Sequence, residues 1–213
     1  TKLKSAKAVD YKSERYNSDM VTILSGEWEF KYYKKKSKLP ATIDTSKIKF
    51  DKVNVPSTWQ RTGYEIPEYI NTPYGFDNRK FGGEWGKGVR PPELPEDFSC
   101  GIYRKFINIE DKTKNYVLTF LGITPCVDLY VNGVFVGFGE GAHNSYEFDV
   151  TEYLKEGENE ILAVVFKWSI GSYLEAQDMF RENGIFRDVL LYTYEKSYIN
   201  DFEAVAEKKG KKY

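Results

Sequence analysis

Along most of this chain, apolar and polar residues alternate with a period of two. Trp28, Phe30 and Tyr32 are interleaved with Glu27, Glu29 and Lys31, the spacing of a strand with one face in a core and the other in water. Residues 103–107 and 116–120 are two further short runs rich in β-formers. Residues 127–131 and 134–138 flank Asn132-Gly133. That pair tolerates φ > 0 at both positions, so it predicts a hairpin closed by a type I′ turn. Residues 161–168 are nearly all apolar, which predicts a strand covered on both faces. Residues 189–194 predict another strand, and residues 199–205 one more. Helix is confined to short pieces such as 151–154, with Asp149 or Thr151 as the cap. Strands about every ten residues, punctuated by Gly, Asn and Pro, predict an all-β protein built as a β-sandwich or jelly roll.

Two stretches break this rhythm. Residues 71–97 carry five glycines and four prolines, and a loop of that length is usually functional or mobile. Residues 168–188 place Glu, Asp, Gln, Arg and aromatic residues between two apolar strands. Such a set suits a hydroxyl-rich ligand, because carboxylates and amides accept hydroxyl hydrogens while aromatic faces cover the C–H side of a sugar ring. A long solvated loop with internal salt bridges has the same composition. Glu175 and Asp178 are spaced to face each other on one helical turn, but nothing in the sequence sets them at a glycosidase separation. The first twenty residues are polar and lysine-rich, an extended arm that needs a partner surface.

Composition narrows the function. Among 213 residues, 31 Lys and Arg stand against 32 Asp and Glu, a net charge of −1. Without a basic field, nucleic-acid binding through phosphate contacts is disfavoured. No run approaches the ~20 apolar residues of a membrane span. With 41% hydrophobic and 16% aromatic residues, the chain can bury roughly 70% of its unfolded surface without staples. His143 is the single histidine, which excludes His-His metal motifs; lying in Gly-Ala-His-Asn-Ser, it reads as a surface-loop residue. Cys100 and Cys126 are too few for a disulfide framework; they pair if their strands are neighbours, or remain as buried thiols. Gly137-Phe138-Gly139-Glu140-Gly141-Ala142 fits a dinucleotide fingerprint in form, but no helix is predicted after it. The chain starts at Thr1 without Met, as a piece of a longer protein would, and no N-x-[ST] sequon is present, which is compatible with a bacterial, cytoplasmic origin.

Motifs in order along the chain carry a specific resemblance. Residues 173–189, Tyr-Leu-Glu-x-Gln-Asp-Met-x-Arg-x-x-Gly-Ile-Phe-Arg-Asp-Val, resemble the signature in the N-terminal domain of glycoside hydrolase family 2 β-galactosidases. Gly26-Glu27-Trp28-x-Phe30, Val55-Pro56-Ser57-x-Trp59-Gln60, Tyr69-x-Asn71, Gly101-x-Tyr103-Arg104 and Val131-Asn132-Gly133 resemble the family's earlier blocks, and Glu147-Phe148-Asp149 with Gly157-Glu158-Asn159 completes the series. The resemblance implies a galactose-binding-domain-like jelly roll over residues 21–195, preceded by the arm of residues 1–20. Residues 196–213 would be a linker and the start of a following immunoglobulin-like domain. A TIM barrel bearing the catalytic glutamates would come later, so the implied chain has no catalytic residue and is inactive alone.

By position in the motifs, the resemblance implies that Asn71 reaches a galactose site and that Asp178 touches the sugar and ligates sodium. Against this stand an Asn71 that caps a turn and an Asp178 paired with Arg181 or Arg187. The isolated domain would need no cofactor, while sodium and magnesium are implied for the full-length enzyme. The implied partners are a β-galactoside, the remaining domains of the parent and further copies in a homo-oligomer. Ile170 and Phe180 depart from the acid and the Trp that β-galactosidases often carry, which opens the sugar preference. The alternatives are a free-standing carbohydrate-binding module, an assembly surface, or a domain of a β-glucuronidase or β-mannosidase.

Overall fold

The computed structural model describes residues 16–70, 91–175, 177–199 and 202–207. They form strands β1 (Val21–Ile23), β2 (Gly26–Tyr33), β3 (Asp51–Val55), β4 (Glu68–Ile70), β5 (Cys100–Ile109), β6 (Asn115–Phe120) and β7 (Ile123–Thr124). The series continues with β8 (Cys126–Val131), β9 (Val134–Glu140), β10 (Tyr146–Asp149), β11 (Gly157–Phe166), β12 (Met179–Arg181), β13 (Gly184–Ile185) and β14 (Val189–Tyr194). A four-stranded sheet, β1-β14-β6-β10, faces a six-stranded one, β3-β2-β5-β11-β8-β9, and every pairing is antiparallel. The protein is therefore an all-β sandwich of the jelly-roll class, as its period-two pattern predicts.

Register explains which residues meet between the sheets. In the larger sheet Phe30, Tyr103, Ala163 and Leu129 lie side by side across β2, β5, β11 and β8. Leu191, Leu118 and Phe148 form the corresponding row of the smaller sheet. All seven are buried in one hydrophobic cluster. Asn132 (φ 50°) and Gly133 (φ 78°) close the β8–β9 hairpin with both residues left-handed, as their pairing predicts.

Residues 161–168 are apolar on both faces because β11 has two covers. One face meets the smaller sheet. The other carries Leu162 and Val164, which join Ile102 in a second core beneath Leu39, Ile43, Ile48 and Phe50.

Three expectations are corrected. Residues 151–154 make a single 3₁₀ turn, Thr151–Tyr153, rather than an α-helix; its N-cap is Val150, while Asp149 Oδ1 accepts from the Thr151 amide at 3.0 Å. Residues 202–207 are not a strand, and Ile199, Phe202 and Val205 are exposed. Residues 168–188 are not one long loop: a 3₁₀ turn (Ile170–Tyr173), β12 and β13 divide them. Both cysteines are free thiols. They sit on β5 and β8, each opposite Phe166 of the intervening β11. That separates them by two strand spacings, roughly 9–10 Å, beyond the ~7 Å reach of a disulfide.

Candidate functional site

Beyond the two main sheets, β4 and β12 pair as a short ribbon, with Ile70 opposite Met179, Tyr69 opposite Phe180 and Glu68 opposite Arg181. The Tyr69 and Phe180 rings meet edge to face at 5.6 Å, and both remain half exposed. The Tyr69 hydroxyl donates to Oδ1 of Asp178, and this bond holds the phenol pKa above its ordinary value. Asp178 is exposed. Asn71 lies outside the described residues. Ile70, to which it is joined, pairs with Met179, to which Asp178 is joined.

Glu175 does not face Asp178 across a helical turn. It follows the Ile170–Tyr173 turn, and its Oε1 accepts from the Ala142 amide at 2.5 Å. Arg181 is committed to carbonyls, donating through Nη1 to Glu175 (2.7 Å) and through Nη2 to Gln177 (3.2 Å). Arg187 likewise donates to the carbonyls of Leu121 and His143. The described partner of Asp178 is thus Tyr69, and neither arginine pairs with it. Its carboxylate oxygens are of the hard kind that suits sodium, and they can accept from sugar hydroxyls. Among the described residues there is no group of three His, Cys, Asp or Glu side chains able to hold a metal.

Next to the ribbon opens a cleft of about 540 Å³. Met179 and Phe180 form part of its wall, with Arg61, Trp168, Glu182 and Phe186 among the other lining residues; His143, exposed as its loop position predicts, stands at it too. Asp178 is outside this lining.

At the cleft, whose lining includes Lys167 and Asn183, a polar network ties residues far apart in sequence. The buried Lys167 ammonium donates to Glu65 Oε1 at 2.7 Å and Glu68 Oε1 at 3.0 Å. Glu65 Oε2 accepts from Trp59 Nε1 (2.9 Å), Gln60 Nε2 (3.2 Å) and Ser99 Oγ (3.2 Å). Gln60 also clamps Asn183: its Nε2 donates to Oδ1 at 2.9 Å, and its Oε1 accepts from the Asn183 amide at 2.8 Å. Burial pushes the Lys167 pKa down, but Glu65 and then Glu68 outweigh it and hold it above its ordinary value.

Sequence reading missed Glu65, Lys167 and Asn183. One signal was there. Lys167 is the single charge in the apolar run 161–168, and a charge that a buried strand carries inward requires a partner.

An all-β sandwich with an open polar and aromatic cleft at one end has the architecture of a carbohydrate-recognition module. The profile described as "Glycosyl hydrolases family 2, sugar binding domain" matches residues 21–195, and the chain belongs to that family. It is 40% identical over 190 residues to a β-galactosidase of Actinobacillus pleuropneumoniae, covering 89% of this chain and 18% of that protein. A β-galactosidase of Staphylococcus xylosus is 38% identical over 198 residues, with 91% and 18% covered. The chain thus spans under a fifth of the length of these relatives. Among solved structures, a β-D-glucuronidase of Dictyoglomus thermophilum aligns with a TM-score of 0.57 at 20% identity, covering 91% of this chain and 31% of that one. A Bacteroides uniformis β-glucuronidase aligns at 0.55 and 19% identity, with 82% and 18% covered. At such identities these two alignments speak for the fold alone.

Proposed function

We propose that this chain is the non-catalytic N-terminal sugar-binding domain of a retaining β-galactosidase, which hydrolyses terminal β-D-galactosides on a barrel outside the chain. The observation that carries this reading is the 40% identity to a protein named β-galactosidase, extending over nearly the whole chain. The β4–β12 ribbon supports the assignment of Asn71 and Asp178, because the residues joined to them are paired. In this reading the Asn71 amide donates to and accepts from galactose hydroxyls, while the Asp178 carboxylate accepts from them. Sodium, when bound at Asp178, supplies a fixed positive charge that orients sugar oxygens, and the rest of its oxygen ligands belong to other domains. Magnesium is assigned to parts of the parent outside this chain. The exposed Tyr69 and Phe180 rings offer apolar cover beside the carboxylate.

The test is kinetic. The longer protein should hydrolyse a chromogenic β-galactoside and leave the corresponding β-glucuronide and β-mannoside untouched. Asp178→Ala should lower kcat/KM and weaken the response to sodium; unchanged kinetics would remove Asp178 from the site. The isolated chain should show no hydrolysis. Calorimetry on the isolated chain separates this reading from a free-standing binding module, for which submillimolar affinity for galactose or lactose is the signature, since half a site yields little affinity.

A further inference from the structure

We propose that Lys167 is a positioning residue for the sugar-contacting ribbon, fixing β4 through its ammonium and the connection after β12 through its carbonyl. The inference rests on the reading of Asp178 and Asn71 given above, and it concerns a residue whose described side-chain hydrogen bonds go to Glu65 and Glu68 and not to Asp178. The Lys167 ammonium reaches Glu68, the first residue of β4, at 3.0 Å. Its carbonyl accepts from Asn183 Nδ2 at 3.0 Å, two residues past the end of β12. Its amide donates to the Ser99 carbonyl at 2.9 Å, and Cys100 begins β5. One residue, continuous with the central strand β11, therefore holds β4 and the connection that follows β12, at a three-residue ribbon otherwise too short to be stable by itself.

Charge makes the clamp directional. Glu65 is satisfied by three donors besides Lys167. For Glu68, the Lys167 ammonium is the described partner. Removing the ammonium leaves Glu65 hydrogen-bonded in place and sets two carboxylates against each other with no cation between them. The strand that yields is β4, which carries Tyr69 and through it the orientation of Asp178.

The experiment has two arms. On this chain, hydrogen exchange should speed roughly tenfold at the amides of 68–70 and 179–181 in Glu68→Gln, with the 131–134 hairpin unchanged. Glu68→Gln spares the buried Lys167–Glu65 pair and so keeps the fold. Unchanged exchange at both ribbon strands overturns the clamp, whatever the parent enzyme does. In the full-length parent, Lys167→Met should raise KM for a β-galactoside about tenfold with a smaller change in kcat, and Lys167→Arg should restore most of it. A Lys167→Met enzyme with a lowered melting temperature but wild-type KM overturns the positioning role. A wild-type parent without β-galactosidase activity instead removes the reading on which the inference rests and leaves the exchange result standing.

Discussion

Tyr69 and Asp178, 109 residues apart in sequence, are joined by a hydrogen bond at one end of the β4–β12 ribbon. The bond occupies one carboxylate oxygen and leaves the other without a protein donor among the described residues. A phenol in this position orients the carboxylate without neutralising it. It differs in that from an arginine partner, whose positive charge would offset that of the carboxylate.

Tyr69→Phe keeps the ring against Phe180 and removes only the donor. If Asp178 holds sodium as proposed, the substitution should raise the sodium concentration needed for half-maximal activity of the full-length parent by roughly tenfold, because the hydrogen bond that orients the ligand is lost. The tyrosine reports the same bond spectroscopically. Tyr69 should deprotonate above pH 10 and return toward its ordinary value in Asp178→Asn, followed by NMR of a ring-labelled chain. The direction follows first from the hydrogen bond to Asp178, which holds the proton on the phenol, and then from burial and the carboxylate charge, both of which disfavour phenolate.

Asn159, fully buried, is a hub for the β8–β9 hairpin and the turn before β11. Its Oδ1 accepts from Asn132 Nδ2 and the Lys155 amide, both at 2.8 Å, and its Nδ2 donates to the Lys155 and Gly157 carbonyls. Asn159→Ala should destabilise the chain by about 2–4 kcal/mol, from several buried hydrogen bonds lost together. Urea unfolding with an unchanged m-value would measure it.

Both thiols should be inert in the folded chain. Burial pushes Cys100 and Cys126 up to about 12. At pH 8 the thiolate fraction is then on the order of 10⁻⁴, against about a quarter for an unperturbed thiol. Ellman's reagent should label neither cysteine in buffer and both in denaturant. Raising the pH from 7 to 9 should accelerate only the unfolded chain, because the native thiols stay protonated across that window.

What the sequence makes legible is whatever is encoded locally. Asn132-Gly133 fixes its turn through two adjacent residues, and Trp28 and Phe30 declare their face by alternation alone. The double burial of β11 is visible in its apolar run. Its outer cover is not, because Leu39, Ile43, Ile48 and Phe50 follow one another at intervals of four, five and two, which sustain neither a helix nor a strand period across the segment. The β4–β12 ribbon is equally hidden, since three-residue strands carry almost no pattern and their partners lie more than a hundred residues apart. Glu175 and Asp178 mislead for a related reason. Their spacing implies a shared face only if the backbone is helical, and here the helical turn has already ended at Tyr173.

Gly184 and Gly133 offer a paired test of what holds the cleft wall in place. Both have positive φ, 128° and 78°, so alanine is strained at either. They differ in surroundings. A Cβ on Gly133 meets nothing within 4 Å, whereas one on Gly184 would stand 2.6 Å from Tyr103 Oη and 3.1 Å from the Ser57 carbonyl. Neither neighbour yields easily, for Tyr103 is buried in the core and Ser57 is backbone whose amide is bonded to the Ile185 carbonyl at 2.8 Å. Gly133→Ala should therefore lose about 1 kcal/mol, the strain alone. Gly184→Ala should lose about 2–4 kcal/mol, strain and clash together, with a melting temperature lower by roughly 5–10 °C. Because Asn183 and Ile185 anchor the 57–59 segment on either side of Gly184, the same substitution should speed hydrogen exchange at residues 57–60. Equal losses for the two alanine variants, read by chemical denaturation, would show that the close packing of Gly184 against Tyr103 and Ser57 contributes nothing beyond its dihedral angle.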